Sequence, residues 1–205
     1  MKRIIYLTCV MLILSSCQPE QVETNNNIGP STYFISFEMD GVLVTEENGV
    51  SGYQMGYSNG SSINGVDNTI SVDPGTGFYN FQNEEQPNSG ISFMNNNFVL
   101  SEYSNDNAAA LASIFNVGTY NYAIENTTAE GVQFDYSENN ILWNSDLLAQ
   151  PSSSLFEVTE SIASTNQQGQ NQREVKGAFN CKIFNEAGAS RIISNGQFYL
   201  IFTAP

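Results

Sequence analysis

The chain has 205 residues, with 21 acidic side chains, six basic ones and no histidine, for a formal charge of −15. Without histidine there is no Ser-His-Asp or Cys-His nucleophile pair and no imidazole-built zinc site. The shortage of Lys and Arg excludes nucleic acid as a partner, because those side chains are what grip a phosphate backbone.

In chain order, the first element is "MKRIIYLTCVMLILSSC". Lys2 and Arg3 precede an uncharged, mostly apolar run of 11 residues, Ile4 to Leu14. A bilayer-spanning helix needs about 20 apolar residues, so the run is too short to cross and reads as a secretory signal. Leu14-Ser15-Ser16-Cys17 resembles the lipobox of bacterial lipoproteins. That resemblance implies cleavage before Cys17 and acylation of its thiol, a lipid anchor that is stable because several acyl chains are buried. The polar stretch "QPEQVETNNNIGP" has almost nothing to bury and reads as a flexible tether. The expected organisation is a signal peptide (1–16), a lipidated Cys17 with its tether (17–30), and one domain (31–205). Gln18 stands where an Asp would retain a lipoprotein in the inner membrane, so the expected location is the outer membrane. Glu20 and Glu23 resemble the acidic tethers of surface-exported lipoproteins. Removal of the signal leaves four basic residues, Arg173, Lys176, Lys182 and Arg191, against 21 acidic ones, a charge of −17. Cys9 leaves with the signal and Cys17 takes the lipid. Cys181 then stands alone, and no intramolecular disulfide can form.

In the domain, Tyr33–Met39 and Val42–Thr45 flank Asp40-Gly41, a strong hairpin signal. Short strands are expected at Gly52–Tyr57, Asn68–Val72, Gly77–Phe81, Ile91–Met94 and Phe98–Leu100, with "SNGSSINGVDN" and "DPGTG" as turns. One helix is expected in "SNDNAAALASIFNVG", capped by Asp106 or Asn107, burying Ala108, Leu111, Ala112 and Phe115, and stopped at Gly118. Strands resume at Thr119–Ile124, Val132–Tyr136, Ile141–Asn144 and Leu155–Ile162. In "REVKGAFNCKIFN" apolar and polar residues alternate, with Cys181 on the core face. "SRIISNGQFYLIF" returns, with Phe198–Phe202 reading as covered on both faces. Ten to twelve short strands and one helix predict an all-β, antiparallel two-sheet sandwich.

The layout is similar to that of small uncharacterised cell-envelope lipoproteins of the Bacteroidota. The residues carrying the resemblance are Cys17, Asp40-Gly41, Gly118-Thr119-Tyr120, Gly177-Ala178-Phe179 and Gly196-Gln197-Phe198. It implies a β-sandwich at the cell envelope and brings no catalytic residues.

Two kinds of chemistry remain. Paired carboxylates, Glu38 with Asp40 or Asp135 with Glu138, would serve a glycan hydrolase. Binding is the other, and the expected role is non-catalytic binding or structure, with the hydrolase as the alternative. No cofactor is expected. Calcium is the one ion weighed, at the Asp67-Asn68, Asp73 and Asn105–Asn107 loops, against their reading as polar turns. Trp143 and tyrosines 53, 57, 79, 103, 120, 122 and 136 are weighed as sugar-stacking rings against a place in the core. The expected partners are the membrane, through the lipid, and an envelope protein or a glycan.

Overall fold

The turn at Asp40-Gly41 sets the frame. Asp40 (φ 52°) and Gly41 (φ 83°) both take positive φ, as a two-residue hairpin turn of this type demands. Strands β1 (Phe34–Met39) and β2 (Val42–Glu47) pair through six successive residues. The computed structural model describes residues 33–80, 88–105 and 107–203. The expected signal peptide, Cys17, the tether and Asp106 lie outside the described residues.

The chain continues with β3 (Tyr53–Asn64), β4 (Thr69–Asn80), β5 (Asn88–Met94), β6 (Asn96–Val99), α1 (Leu100–Asn105), α2 (Asn107–Ile114), β7 (Gly118–Tyr120), β8 (Gly131–Glu138), β9 (Ile141–Asn144), β10 (Leu155–Thr165), β11 (Asn171–Phe184) and β12 (Ser190–Thr203). The protein is therefore mostly β, and among the described residues the strand pairs are antiparallel apart from one isolated bridge, Tyr122 to Val132. The hydrogen-bonded order is β2-β1-β12-β11-β9-β8-β5-β4-β3, with β10 on β11, β7 on β10 and β6 on β4. This curled sheet has a narrow neck: β11 meets β9 through a single residue pair, Phe184 with Asn144.

The two sides of the neck face each other through aromatic side chains. Phe37 of β1 meets Phe134 of β8 edge-on at 5.3 Å. Phe93 of β5 meets Phe202 of β12 at 5.5 Å. Phe134 meets Phe179 of β11 at 4.9 Å. The first two pairs are edge-to-face and the third is tilted, and aromatic contacts at these separations add to the area that the rings bury.

The closing strands explain their paired G-x-F motifs. Gly177 stands opposite Phe198, and Phe179 opposite Gly196. A Cβ on Gly196 would lie 2.6 Å from the Phe179 carbonyl oxygen and ring, and one on Gly177 would strike the Phe198 ring. Each glycine clears the space that the other motif's ring fills. Beside Gly196, Asn195 takes φ 53°, and the register of β12 shifts against both β1 and β11 at this point. That is a bulge felt by both neighbours.

Several boundaries differ from expectation. "SNGSS" continues β3, and "DPG" lies inside β4. Pro74 has no N–H to give, but it falls where the second neighbour of β4 changes from β6, ending at Asn96, to β5, starting at Ser92. The Asp73 carboxylate fills the gap by accepting the Asn95 N–H at 2.6 Å. The expected strand at Phe98–Leu100 ends at Val99, and Leu100 opens α1, a helix that the sequence reading missed. The buried face of α2 is Ala110, Leu111 and Ile114, with Ala108 exposed, because the helix docks rotated from the expected face. The strand expected at Thr119–Ile124 is only three residues long. In β12, Phe198, Leu200 and Phe202 are buried, but Tyr199 and Ile201 are half-exposed, so one face of this strand is open.

Candidate functional site

That open face is the outer surface of β1, β12, β11 and β10. Pairing places Glu47, Phe34, Tyr199, Lys176 and Glu160 in one row across five strands. Alternation along each strand turns all five away from the core. The Lys176 ammonium lies 2.9 Å from Glu160 Oε2 and 4.7 Å from the centre of the Tyr199 ring. The Tyr33 ring meets the Tyr199 ring edge-on at 4.9 Å. The Tyr199 hydroxyl donates a hydrogen bond to Glu174 Oε2. This bond to a carboxylate, and then burial, push the Tyr199 phenol well above its ordinary value. Burial, and then Glu174, also raise that of Tyr33.

Beside the row is a shallow depression of about 320 Å³, with Phe34, Thr159, Lys176, Gln197 and Tyr199 on its walls and Ala178 at its base. A second, of about 530 Å³, continues along the same strands over Asn180, Lys182 and Ser194. The four basic residues among the described residues, Arg173, Lys176, Lys182 and Arg191, all lie on β11 or β12. Even so, the outer face stays acidic. Glu38, Glu47, Glu157, Glu160 and Glu174 face outward against Lys176 and Lys182, so the face favours an uncharged ligand over an anionic one. It carries aromatic rings bordered by an amide, a hydroxyl and an ion pair.

The residues singled out from sequence fall elsewhere. Asp40 is turn rather than strand, and its Oδ1 accepts the Ile192 N–H at 3.1 Å, so it does not share a strand face with Glu38. Asp135 and Glu138 lie on opposite faces of β8. Glu138 is paired with Arg191 at 3.0 Å, and that guanidinium sits over the ring of buried Trp143. Burial, then the charge of Asp146, push the Asp135 carboxyl up to about 6. Of the Asp and Asn side chains weighed for calcium, Asp67, Asp73 and Asn107 are held by other parts of the chain. Asn64 donates to Asp67 at 2.7 Å, Asp73 accepts from Asn95, and Asn107 Oδ1 accepts from Asn171 at 2.8 Å. Among the described residues, no group of three or more acidic, cysteine or histidine side chains is placed to share a metal ion. Of the weighed rings, Tyr53, Tyr103, Tyr136 and Trp143 are buried. Tyr120 and Tyr122 pack against the core and bond backbone carbonyls. Tyr57 and Tyr79 are exposed. Cys181 is buried as expected, and burial pushes its thiol up to about 12.

Sequence reasoning missed Tyr33, Phe34 and Tyr199, and it missed Glu46. In "LVTEE" Glu46 reads as solvated, yet its exposure is 0%. Its Oε2 accepts from Ser89 of β5 twice, from the N–H at 3.0 Å and the hydroxyl at 2.5 Å. Oε1 is buried without a partner. Burial, opposed in part by these bonds, pushes the carboxyl up to about 8. Cross-strand pairing accounts for the burial: Glu46 stands opposite the core residue Ile35 of β1, on the same strand face as Val44.

No protein-family model, curated protein or solved structure matches the chain.

Proposed function

We propose that this protein is a lipid-anchored outer-membrane protein whose two-layer β-sandwich presents a non-catalytic binding face for a glycan. Two layers are the natural reading of a sheet whose halves share one residue pair at β11–β9 and pack ring against ring across the core. The anchor reading rests on Lys2, Arg3, the short apolar run and Cys17.

The observation that carries the binding reading is the outward row of Phe34, Tyr199 and Lys176 beside its depression. Aromatic faces stack on the C–H faces of sugar rings, and Gln197 and Thr159 stand where sugar hydroxyls need partners. Lys176 and Glu160 neutralise each other, and the Tyr199 hydroxyl is committed to Glu174. Such groups orient a ligand. Tyr199→Ala removes the platform from a side of the domain that contributes little to the core. It should abolish glycan binding and leave the fold intact, and binding that survives it contradicts the assignment of this face.

A further inference from the structure

We infer that the outer edge of β3 is a self-association surface, pairing antiparallel with β3 of a second copy of this chain. An unpaired strand edge is a row of free N–H and C=O groups, and proteins block such edges with charges, proline, bulges or shortness. Among the described residues the other edges are blocked in these ways. β2 is six residues long and carries the outward charge of Glu47. β6 and β7 have four and three residues. β10 is covered by β7 at Phe156–Val158, shifts register just beyond and carries Glu160 there, and Arg173 donates to the Ser161 carbonyl that follows.

β3 has none of these defences. It runs twelve residues in unbroken register with β4. It contains no proline, and Asn48–Val66 is a run of 19 residues without a charge in a chain of −15. Its first half is approached from the side by β11 and β12, where Asn59 donates to Thr203 at 3.1 Å. Its second half, Gly60–Asn64, is exposed at every residue. Ile63 there is 63% exposed, and Val66 just beyond it 93%.

The occupant follows from charge and symmetry. An antiparallel strand edge is complementary to its own copy about a twofold axis, the commonest symmetry of soluble oligomers. At any acidic edge of this molecule, two copies would set carboxylate against carboxylate. Along Gly60–Asn64 they set Gly, Ser, Ile and Asn against one another. So short a strand pair buries less than a standard interface, so the contact is weak and concentration-dependent.

The test is sedimentation of the full-length protein in a neutrally buoyant detergent over a concentration series reaching about 100 μM, the range of a small interface. The average mass should rise from monomer toward dimer. With the twofold axis at Ser62, Ser61 of one copy faces Ile63 of the other. Ser61→Glu with Ile63→Glu should then weaken the dimer about tenfold or more, while Ser61→Lys with Ile63→Glu keeps it. Thermal melts of both variants establish that each is folded. A wild-type protein that stays monomeric throughout, or a double-glutamate variant that dimerises as the wild type does, overturns the inference.

Discussion

Replacing Glu46 with glutamine should remove most of the pH dependence of stability between pH 5 and 8. The ordinary carboxyl value is 4.5, and in the folded protein burial raises that of Glu46 to about 8. Below pH 4.5 the carboxyl is protonated in both states and costs nothing. As pH rises from 4.5 to 8, the unfolded chain releases the proton and the folded chain holds it, so stability falls. Above 8 both states are ionised and the penalty is constant. The gap corresponds to about 3 kcal/mol at pH 7 and roughly 5 kcal/mol above pH 8. Glutamine keeps an oxygen for the two Ser89 donors and never ionises. Its amide nitrogen takes the place of the unpartnered oxygen and costs about 1–3 kcal/mol at all pH values, which lowers the curve without tilting it. The groups around Glu46 are Tyr53, Tyr136 and, more distantly, Asp135. Their own titrations remain in both proteins and cancel to first order in the difference. Denaturant unfolding followed by fluorescence of buried Trp143, at pH steps from 5 to 9, reads the two slopes. Parallel wild-type and Glu46→Gln curves would refute the reasoning.

Gly196→Ala forces a methyl group against the Phe179 carbonyl and ring, so it should lower stability by about 1–3 kcal/mol; an unchanged melting midpoint contradicts the interlock of the two G-x-F motifs. Gln150 accepts the Lys182 N–H at 2.8 Å and donates to the Lys182 and Ser145 carbonyls. Gln150→Ala should therefore cost about 1–3 kcal/mol and speed amide exchange at Lys182, and equal exchange in the two proteins counts against that role. On the proposed anchor, acyl chains on the Cys17 thiol hold the protein to the membrane, so Cys17→Ala should move it out of the membrane fraction; an unchanged membrane pool rules the lipid out.

The sequence made local rules legible and left cross-strand ones hidden. Asp40-Gly41 announced its turn because positive φ is a local property. The alternation of β11 placed Cys181 and Phe179 correctly because period two is also local. Pro74 and its neighbouring glycines read as a turn because their strand is held by partners far away in sequence, and the break that tolerates proline is made by β5 and β6. Tyr199 was assigned to the core because "FYLIF" is apolar throughout. Which residues of such a run are covered depends on what packs over the sheet, and nothing within the run records it. Glu46 escaped notice for the same reason: its donors are on β5, 43 residues away. The outward row from Glu47 to Glu160 is the sum of five strands' registers, so no single segment could display it.

The most direct test of the account is a calorimetric titration of the full-length protein, in detergent, with a panel of neutral oligosaccharides, run in parallel on Tyr199→Ala. The account predicts saturable binding of at least one glycan by the wild type and its loss in Tyr199→Ala at an unchanged melting temperature. Absence of binding across the panel, or equal binding by the two proteins, would contradict it.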